Sequence, residues 1–578
     1  MSASSGFVGR LRGGRLAVLG TAARVWPGLR VQSVLEGYIA NQAGLCREFG
    51  LAASTCAGQV LAHSFRAYGA RLCERVWGEW SAALFDQASG ELLLTHDALG
   101  TRTMFFVQDR DEIVFASQLE NLLRVVSPGE LDETYIAQSL VDVDDHGDAT
   151  PWRRVRRLPQ GQSLRWCAGR ARVLSTYRPV TMPRPGRSDP VELAEHARAL
   201  MTQAVAGTMP DGARVWCELS GGLDSSSVVS LAVGVLQRPI ETFSVIYSRS
   251  TESDESAWID RVLATYPVPS HRLDADQVPP FSTLPTHFHA EPGGEALIGA
   301  FNQARRALLK AHGVQVILTG MCGDAVFVGD SPQPVYLADL WHPLPLLREV
   351  GRWAQGSPVQ RPFGYWLWRY ALRPRLPQKR LGGAREQPPS WLGTRHQARW
   401  HELRAAQPQL TRLPHGETYY WERVLKGALL SRAGQHVLDD VCSSRNPWLH
   451  LPLVEFMASA PWPVKLRPDS DRALQREAMR EVLPEAIRQR RDKRVPTQAI
   501  FGGLHDSPGW LELLTHEPRV VQRGDVLGPQ WNEVVQQARL GFCPHPGPFM
   551  QACMLEAWLA TLDQAPTAEP ALLDVPAA

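Results

Sequence analysis

The segment 215–232, VWCELSGGLDSSSVVSLA, constrains this chain more than any other. A short apolar run of strand type (214–219) ends in two glycines, an aspartate and several serines, and a helical pattern follows over 226–235. Glycines at such a junction let backbone N–H groups approach phosphate oxygens with no Cβ in the way. The helix N-terminus brings positive partial charge to the same point. Serine hydroxyls supply further donors, and an aspartate can hold a magnesium ion that neutralises a polyphosphate. The bland alternative is a tight turn capped by serines. A Walker A loop is excluded, because no Gly-Lys-Ser/Thr follows.

A chain of 578 residues is too long for one hydrophobic core, so two or more domains are expected. With 61 basic against 59 acidic residues, there is no global electrostatic case for nucleic acid or an anionic membrane. The nine cysteines are scattered and form no CxxC pair, which reads as the reduced thiols of a cytosolic protein. The first residues, MSASSGFVGRLRGGR, lack the apolar stretch of a signal peptide, and no run approaches the ~20 residues of a bilayer span. A cytoplasmic location is expected.

Before residue 180, short β-type runs (16–19, 80–85, 91–95, 103–107, 113–116) alternate with helical patterns at 31–41 and 58–68, an α+β or layered sandwich pattern. The Pro/Gly-rich stretch 181–190 reads as a linker between a domain over 1–180 and one over 191–578. Asp189-Pro190 looks like a helix start, with an acidic N-cap and proline at the first helical position.

SGGLDSS resembles the PP-loop of ATP pyrophosphatases in the asparagine synthetase family, and further segments continue the likeness. ETFSVIY (241–247) is similar to the family's next strand, SDESA (253–257) to the acidic segment opening the following helix, and TGMCGD (319–324) to its second phosphate loop. SRNPWLH (444–450) with LVEF (453–456), and LPEAI (483–487) with RRDK (490–493), resemble its C-terminal motifs. In the first half, GYIAN (37–41), GEWSAALFD (78–86) and HDALGTR (96–102) resemble a class II glutaminase domain.

The resemblance implies an α+β, Ntn-hydrolase-like sandwich followed by an α/β PP-loop synthetase domain (adenine nucleotide alpha hydrolase-like) with a helical C-terminal part. It implies enzymes that cleave ATP between the α and β phosphates, join AMP to a carboxylate and release pyrophosphate. ATP would lie on Leu219, Ser220, Gly221, Gly222, Leu223, Asp224, Ser225 and Ser226, with Ser244 and Val245 at adenine and Thr319 and Gly320 in the second loop. Asp224 and Asp324 would hold Mg2+ and, with Lys493, carry the chemistry; the lysine would bridge the α-phosphate and the developing oxyanion.

The chain departs from that family in two places. A class II glutaminase needs an N-terminal cysteine, whereas this sequence begins Met1-Ser2-Ala3 and its first cysteine is Cys46. The arginine-rich, glutamine-gripping segment is also missing around 15–29, so the domain reads as a relic kept for structure. In the second phosphate loop Met321 and Ala325 stand where asparagine-making enzymes carry acidic residues. The adenylating parts survive and the ammonia-handling parts do not, so the amine is expected on the substrate itself.

The sequence is most similar to lasso peptide cyclases, which adenylate an Asp or Glu side chain of a precursor peptide and close a macrolactam with its N-terminal amine. A β-lactam synthetase, an asparagine synthetase and, from another class, an inactive peptide-binding scaffold are the alternatives. The implied partners are the core peptide, a leader peptidase and a leader-recognition protein. The insert 340–404, with Trp341, Trp353, Trp366, Trp368, Trp391, Trp400 and many arginines, reads as a peptide-holding wall or as a helical subdomain with a basic surface. His289 and Glu291 lack companion metal ligands in sequence; Glu291 stands as a candidate general base.

Overall fold

The computed structural model describes residues 6–20, 24–26, 28–143, 145–179, 189–329, 333–376, 387–405, 413–491 and 497–573. Its first half holds β1 (Phe7–Arg12), β2 (Arg15–Gly20), β3 (Arg24–Trp26), β4 (Val31–Ile39), β5 (Gly78–Asp86) and β6 (Glu91–His96). β7 (Phe105–Gln108), β8 (Glu112–Ala116), β9 (Arg156–Arg157), β10 (Gln162–Cys167) and β11 (Arg170–Ser175) follow. One antiparallel sheet runs β2-β1-β8-β7-β9 and the other β11-β10-β6-β5-β4-β3. Phe7, Val34, Phe85, Phe106, Phe115 and Trp166 are among the residues that fill the space between them. Two apolar sheet faces must bury each other, and a sandwich results.

The helix expected over 31–41 is instead β4, and a helix starts only at Gln42. β4 is an inner strand paired with β3 and β5 and covered on both faces. Its apolar residues therefore fall at both parities and imitate helical spacing. Gly37 in this strand has φ +102, and a Cβ there would stand 2.0 Å from the Glu79 carbonyl oxygen. The 58–68 pattern is the helix Ala57–Tyr68.

Of the stretch read as a linker, residues up to Ser188 lie outside the described ones. Asp189 then caps the helix Pro190–Thr208, its side chain accepting from the Val191 N–H, with Pro190 at the start. Beyond it lies a parallel sheet ordered β14-β13-β12-β15-β16, built from β12 (Val215–Glu218), β13 (Glu241–Ile246), β14 (Ser270–Asp274), β15 (Val316–Leu318) and β16 (Ser443–Arg445). Trp216, Cys217, Phe243, Ile317 and Leu318 are buried in it, as strands covered on both faces require. The C-terminal part is helical, including Leu451–Ser459, Gly528–Arg539 and Pro546–Leu559. Among the described residues no helix is long and apolar enough to cross a membrane.

The two halves share one core, in which Trp80 and Leu84 join Met201, Trp448 and Leu451. A buried polar seam fixes their register. Glu79, 2% exposed, accepts from the Asn446 N–H at 2.6 Å, from Asn446 Nδ2 at 2.9 Å and from the Tyr38 hydroxyl at 2.8 Å. Burial pushes its carboxyl up, and those donors oppose the rise. Arg102 bridges Asp439 at 3.0 Å and Glu36 at 3.2 Å in the same seam.

Candidate active site

β12 delivers the chain to the first loop. Leu219 is buried; its N–H donates to the Phe243 carbonyl at 2.8 Å, and its carbonyl accepts the Ser244 hydroxyl at 2.7 Å. Ser244 thus spends its hydroxyl on locking the loop's root to β13, and Val245 follows it half-buried. Ser220 and Ser225 hydroxyls meet at 3.0 Å and close the loop onto the helix Leu223–Ser230. Gly221 has φ +70, and a Cβ there would lie 2.5 Å from Trp258 Cβ, so only glycine fits. Leu223 anchors the helix in the core. The Ser226 hydroxyl is buried with no hydrogen-bond partner among the described residues.

The second loop meets the first without side chains between them. A Cβ on Gly320 would stand 2.6 Å from the Ser225 nitrogen, and one on Gly323 would stand 2.3 Å from Asp224 Cγ. Thr319 Oγ1 accepts from the Met321 N–H at 3.0 Å, and Cys322 sits at φ +67 before the short helix Gly323–Val326. Met321, one of the two departures in this loop from the pattern it resembles, is 41% exposed. This close approach brings Asp224 and Asp324 onto one cation. Arg472 Nη1 donates to Asp224 Oδ2 at 3.0 Å and to Asp324 Oδ1 at 2.7 Å. Gln475 adds a bond to Asp224 Oδ1 at 2.9 Å.

Two carboxylates on one guanidinium show that positive charge is accommodated between the loops. With the orphaned Ser226 hydroxyl and the glycine-only contacts, the donor set fits a cation with a polyphosphate. Arg472 and Gln475 were not singled out from the sequence. The available signal was weak: Arg472, Gln475 and Arg476 recur at helical spacing yet are buried on the helix Ala473–Ala478 or at its cap.

From RRDK, Arg490 reaches the first loop: Nη1 donates to the Gly221 carbonyl at 3.1 Å, and its guanidinium pairs with Glu255 and lies over the Trp258 ring. The acidic segment 253–257 therefore serves to hold Arg490. Lys493 lies outside the described residues.

Glu291 does not sit among the loops. It pairs with Arg157 of the first half and lines a cavity of about 710 Å³ with Arg432, His436 and Asp439, to which no residue of either phosphate loop contributes. Burial pushes its carboxyl up, but Arg157 and Arg432 outweigh this and hold it below the ordinary value. An ion-paired carboxylate is a poor proton acceptor, so the candidacy of Glu291 as general base is withdrawn. The insert also divides. Trp353, Trp366, Trp391 and Trp400 are core residues, while Trp341 and Trp368 are 76% and 49% exposed. Arg375 donates to the Ala338 and Leu340 carbonyls and lies over the Trp341 ring, a structural brace.

The family model described as asparagine synthase matches residues 196–560, and one described as a glutamine amidotransferase domain matches residues 15–178. A Mycobacterium bovis protein named as a glutamine-hydrolysing asparagine synthetase is 25% identical over 463 residues, covering 74% of this chain and 68% of its own. Asparagine synthetase 3 of Bacillus subtilis, named glutamine-hydrolysing, is 20% identical over 534 residues (87% of this chain, 81% of its own). Amidase chry2 of Gibberella zeae is 22% identical over 317 residues, covering 52% and 46%.

Proposed function

The chain belongs to the asparagine synthase family of ATP-dependent carbon–nitrogen ligases, which form AMP and pyrophosphate, and on that premise we propose that it closes a macrolactam in a precursor peptide. The observation that carries the adenylating part is the convergence of Asp224 and Asp324 on one cation across two loops packed glycine to backbone. When bound, magnesium ATP supplies the phosphoanhydride whose cleavage activates the carboxylate. The N-terminus of the helix Leu223–Ser230 would meet phosphate oxygens, while the Ser220 and Ser226 N–H groups stay within the loop, on Ser225 Oγ and the Gly222 carbonyl. Asp224 and Asp324 would hold the metal, Arg490 keeps the first loop in shape through the Gly221 carbonyl, and Lys493 would balance charge on the oxyanion.

Three features support an amine drawn from the substrate. Met321 and Ala325 remove acidic groups from the second loop. Of the cysteines in the first half, Cys46 and Cys73 are buried, burial pushing the Cys73 thiol up to about 12, while Cys56 and Cys167 are exposed. A thiol held up in this way, as at Cys73, is not an activated nucleophile. Finally, Trp341, Leu344 and Trp368 form exposed apolar surface on the arginine-rich insert, suited to an extended peptide. A leader peptidase and a leader-recognition protein are the companions such a substrate would need.

The relatives' names favour a second reading, a glutamine-hydrolysing asparagine synthetase. Mass spectrometry separates the two. A peptide with an internal Asp or Glu should lose one water in the presence of ATP, and glutamine should not raise the rate. Conversion of free aspartate to asparagine, accelerated by glutamine, would overturn the proposal.

A further inference from the structure

We infer that Glu241, His271 and His312 form a binding site for a divalent transition-metal ion of the zinc class. Glu241 opens β13, His271 is the second residue of β14, and His312 caps the helix Gly299–Ala311 just before β15. All three therefore lie at the N-terminal edge of the parallel sheet. The phosphate loops leave the opposite edge, after the ends of β12 and β15. One ligand atom from each of the three residues falls within 4.8 Å of the other two.

Packing fixes these side chains in place. His271 stacks on the buried Trp216 ring, with centroids 4.1 Å apart and planes at 11°. His312 lies 5.2 Å from the same indole and 4.4 Å from His271. The Glu241 Oε2 takes His271 Nε2 at 2.7 Å, while its Oε1 accepts Arg214 Nε at 3.0 Å and Nη2 at 2.7 Å. Burial pushes the Glu241 carboxyl up, but the His271 and Arg214 contacts outweigh this and keep it ionised. Arg214 thus acts as the outer partner that orients a ligating carboxylate.

Two imidazoles and one carboxylate suit Zn2+ or Co2+ better than Mg2+ or Ca2+, and three protein ligands leave a place for water. Coordination through His271 Nε2 uses the neutral tautomer that carries its proton on Nδ1, so the metal takes the place of the hydrogen bond between His271 and Glu241. The ion would tie β13, β14 and the end of a helix together at the edge of the sheet opposite the phosphate loops.

Full-length, tag-free protein, stripped with EDTA and held in excess Mg2+, would be titrated with Co2+ by visible absorption and with Zn2+ by calorimetry. The expected result is one equivalent bound with nitrogen/oxygen-ligand bands and a rise in Tm on adding Zn2+. His312→Ala, which removes a half-buried ring, should weaken binding about tenfold or more and cancel the Tm rise. Glu241→Gln should weaken it with the fold intact, and Asp224→Asn should leave it unchanged. No uptake by the wild-type protein, equal uptake by His312→Ala, a thiolate–cobalt charge-transfer band, or loss in Asp224→Asn would each overturn the site.

Discussion

Asp224 and Asp324 come from loops a hundred residues apart in sequence and share the Arg472 guanidinium. Each is expected to be needed for turnover. Asp224→Ala or Asp324→Ala should cost several kcal/mol of transition-state stabilisation, about a hundredfold or more in kcat, with Tm changed by a few degrees at most. Near-normal pyrophosphate release from either variant would remove it from the site. The glycines are equally exacting. Gly221→Ala forces a side chain into φ +70 and against Trp258, and should lower unfolding free energy by about 1–3 kcal/mol in urea titration. In the sequence the first loop stood out as a glycine-rich turn between strand and helix, and Asp324 was pointed to by the resemblance of TGMCGD to a second phosphate loop. The sequence did not disclose Arg472, which lies 248 residues beyond Asp224 and reaches it only through the fold. The trio Glu241, His271 and His312 was hidden for the same reason, since three separate elements supply it.

At the scale of elements, β12, its loop and the capped helix from Pro190 were legible from local pattern. β4 was not, because burial on both faces erases the alternation that marks a strand. Also illegible was the polar seam that joins the first half to β16 and the helix His415–His436. There His436 Nδ1 meets Asp439 Oδ2 at 3.1 Å. Burial lowers the His436 pKa, yet the bond and charge of Asp439 outweigh it and raise the value above the ordinary 6.5. Burial likewise raises Asp439, but Arg102 and His436 outweigh it and bring the pKa below 3.8. The His436 contribution is thus complete below about pH 6.5 and lost as pH rises through the raised value; the Asp439 contribution is complete above about pH 4 and lost at lower pH. Tm should therefore fall on going from pH 6 to pH 8.5, and His436→Gln should flatten that slope. An unchanged slope in the variant would exclude the pair as its source.

For the whole molecule, chain length and the Pro/Gly-rich stretch at 181–190 suggested two domains, while the mutual dependence of the two halves was not legible. Glu79 and Arg102 are buried against Asn446 and Asp439 of the other half, so the first half supports the adenylating half whether or not it has chemistry of its own. Arg102→Ala would take the guanidinium from Asp439 and Glu36, leaving them to His436 and Gln118, and should cost about 3–5 kcal/mol, read by urea unfolding of the full chain. A loss below about 1 kcal/mol would mean that the seam is incidental. Adenylation of a peptide carboxylate at the two loops, as proposed above, can be read from ATP–pyrophosphate exchange. Wild-type protein should exchange labelled pyrophosphate into ATP only with an Asp- or Glu-bearing peptide, and Asp324→Ala should not exchange at all. Exchange driven by free aspartate alone, or release of ADP and phosphate in place of AMP and pyrophosphate, would contradict it.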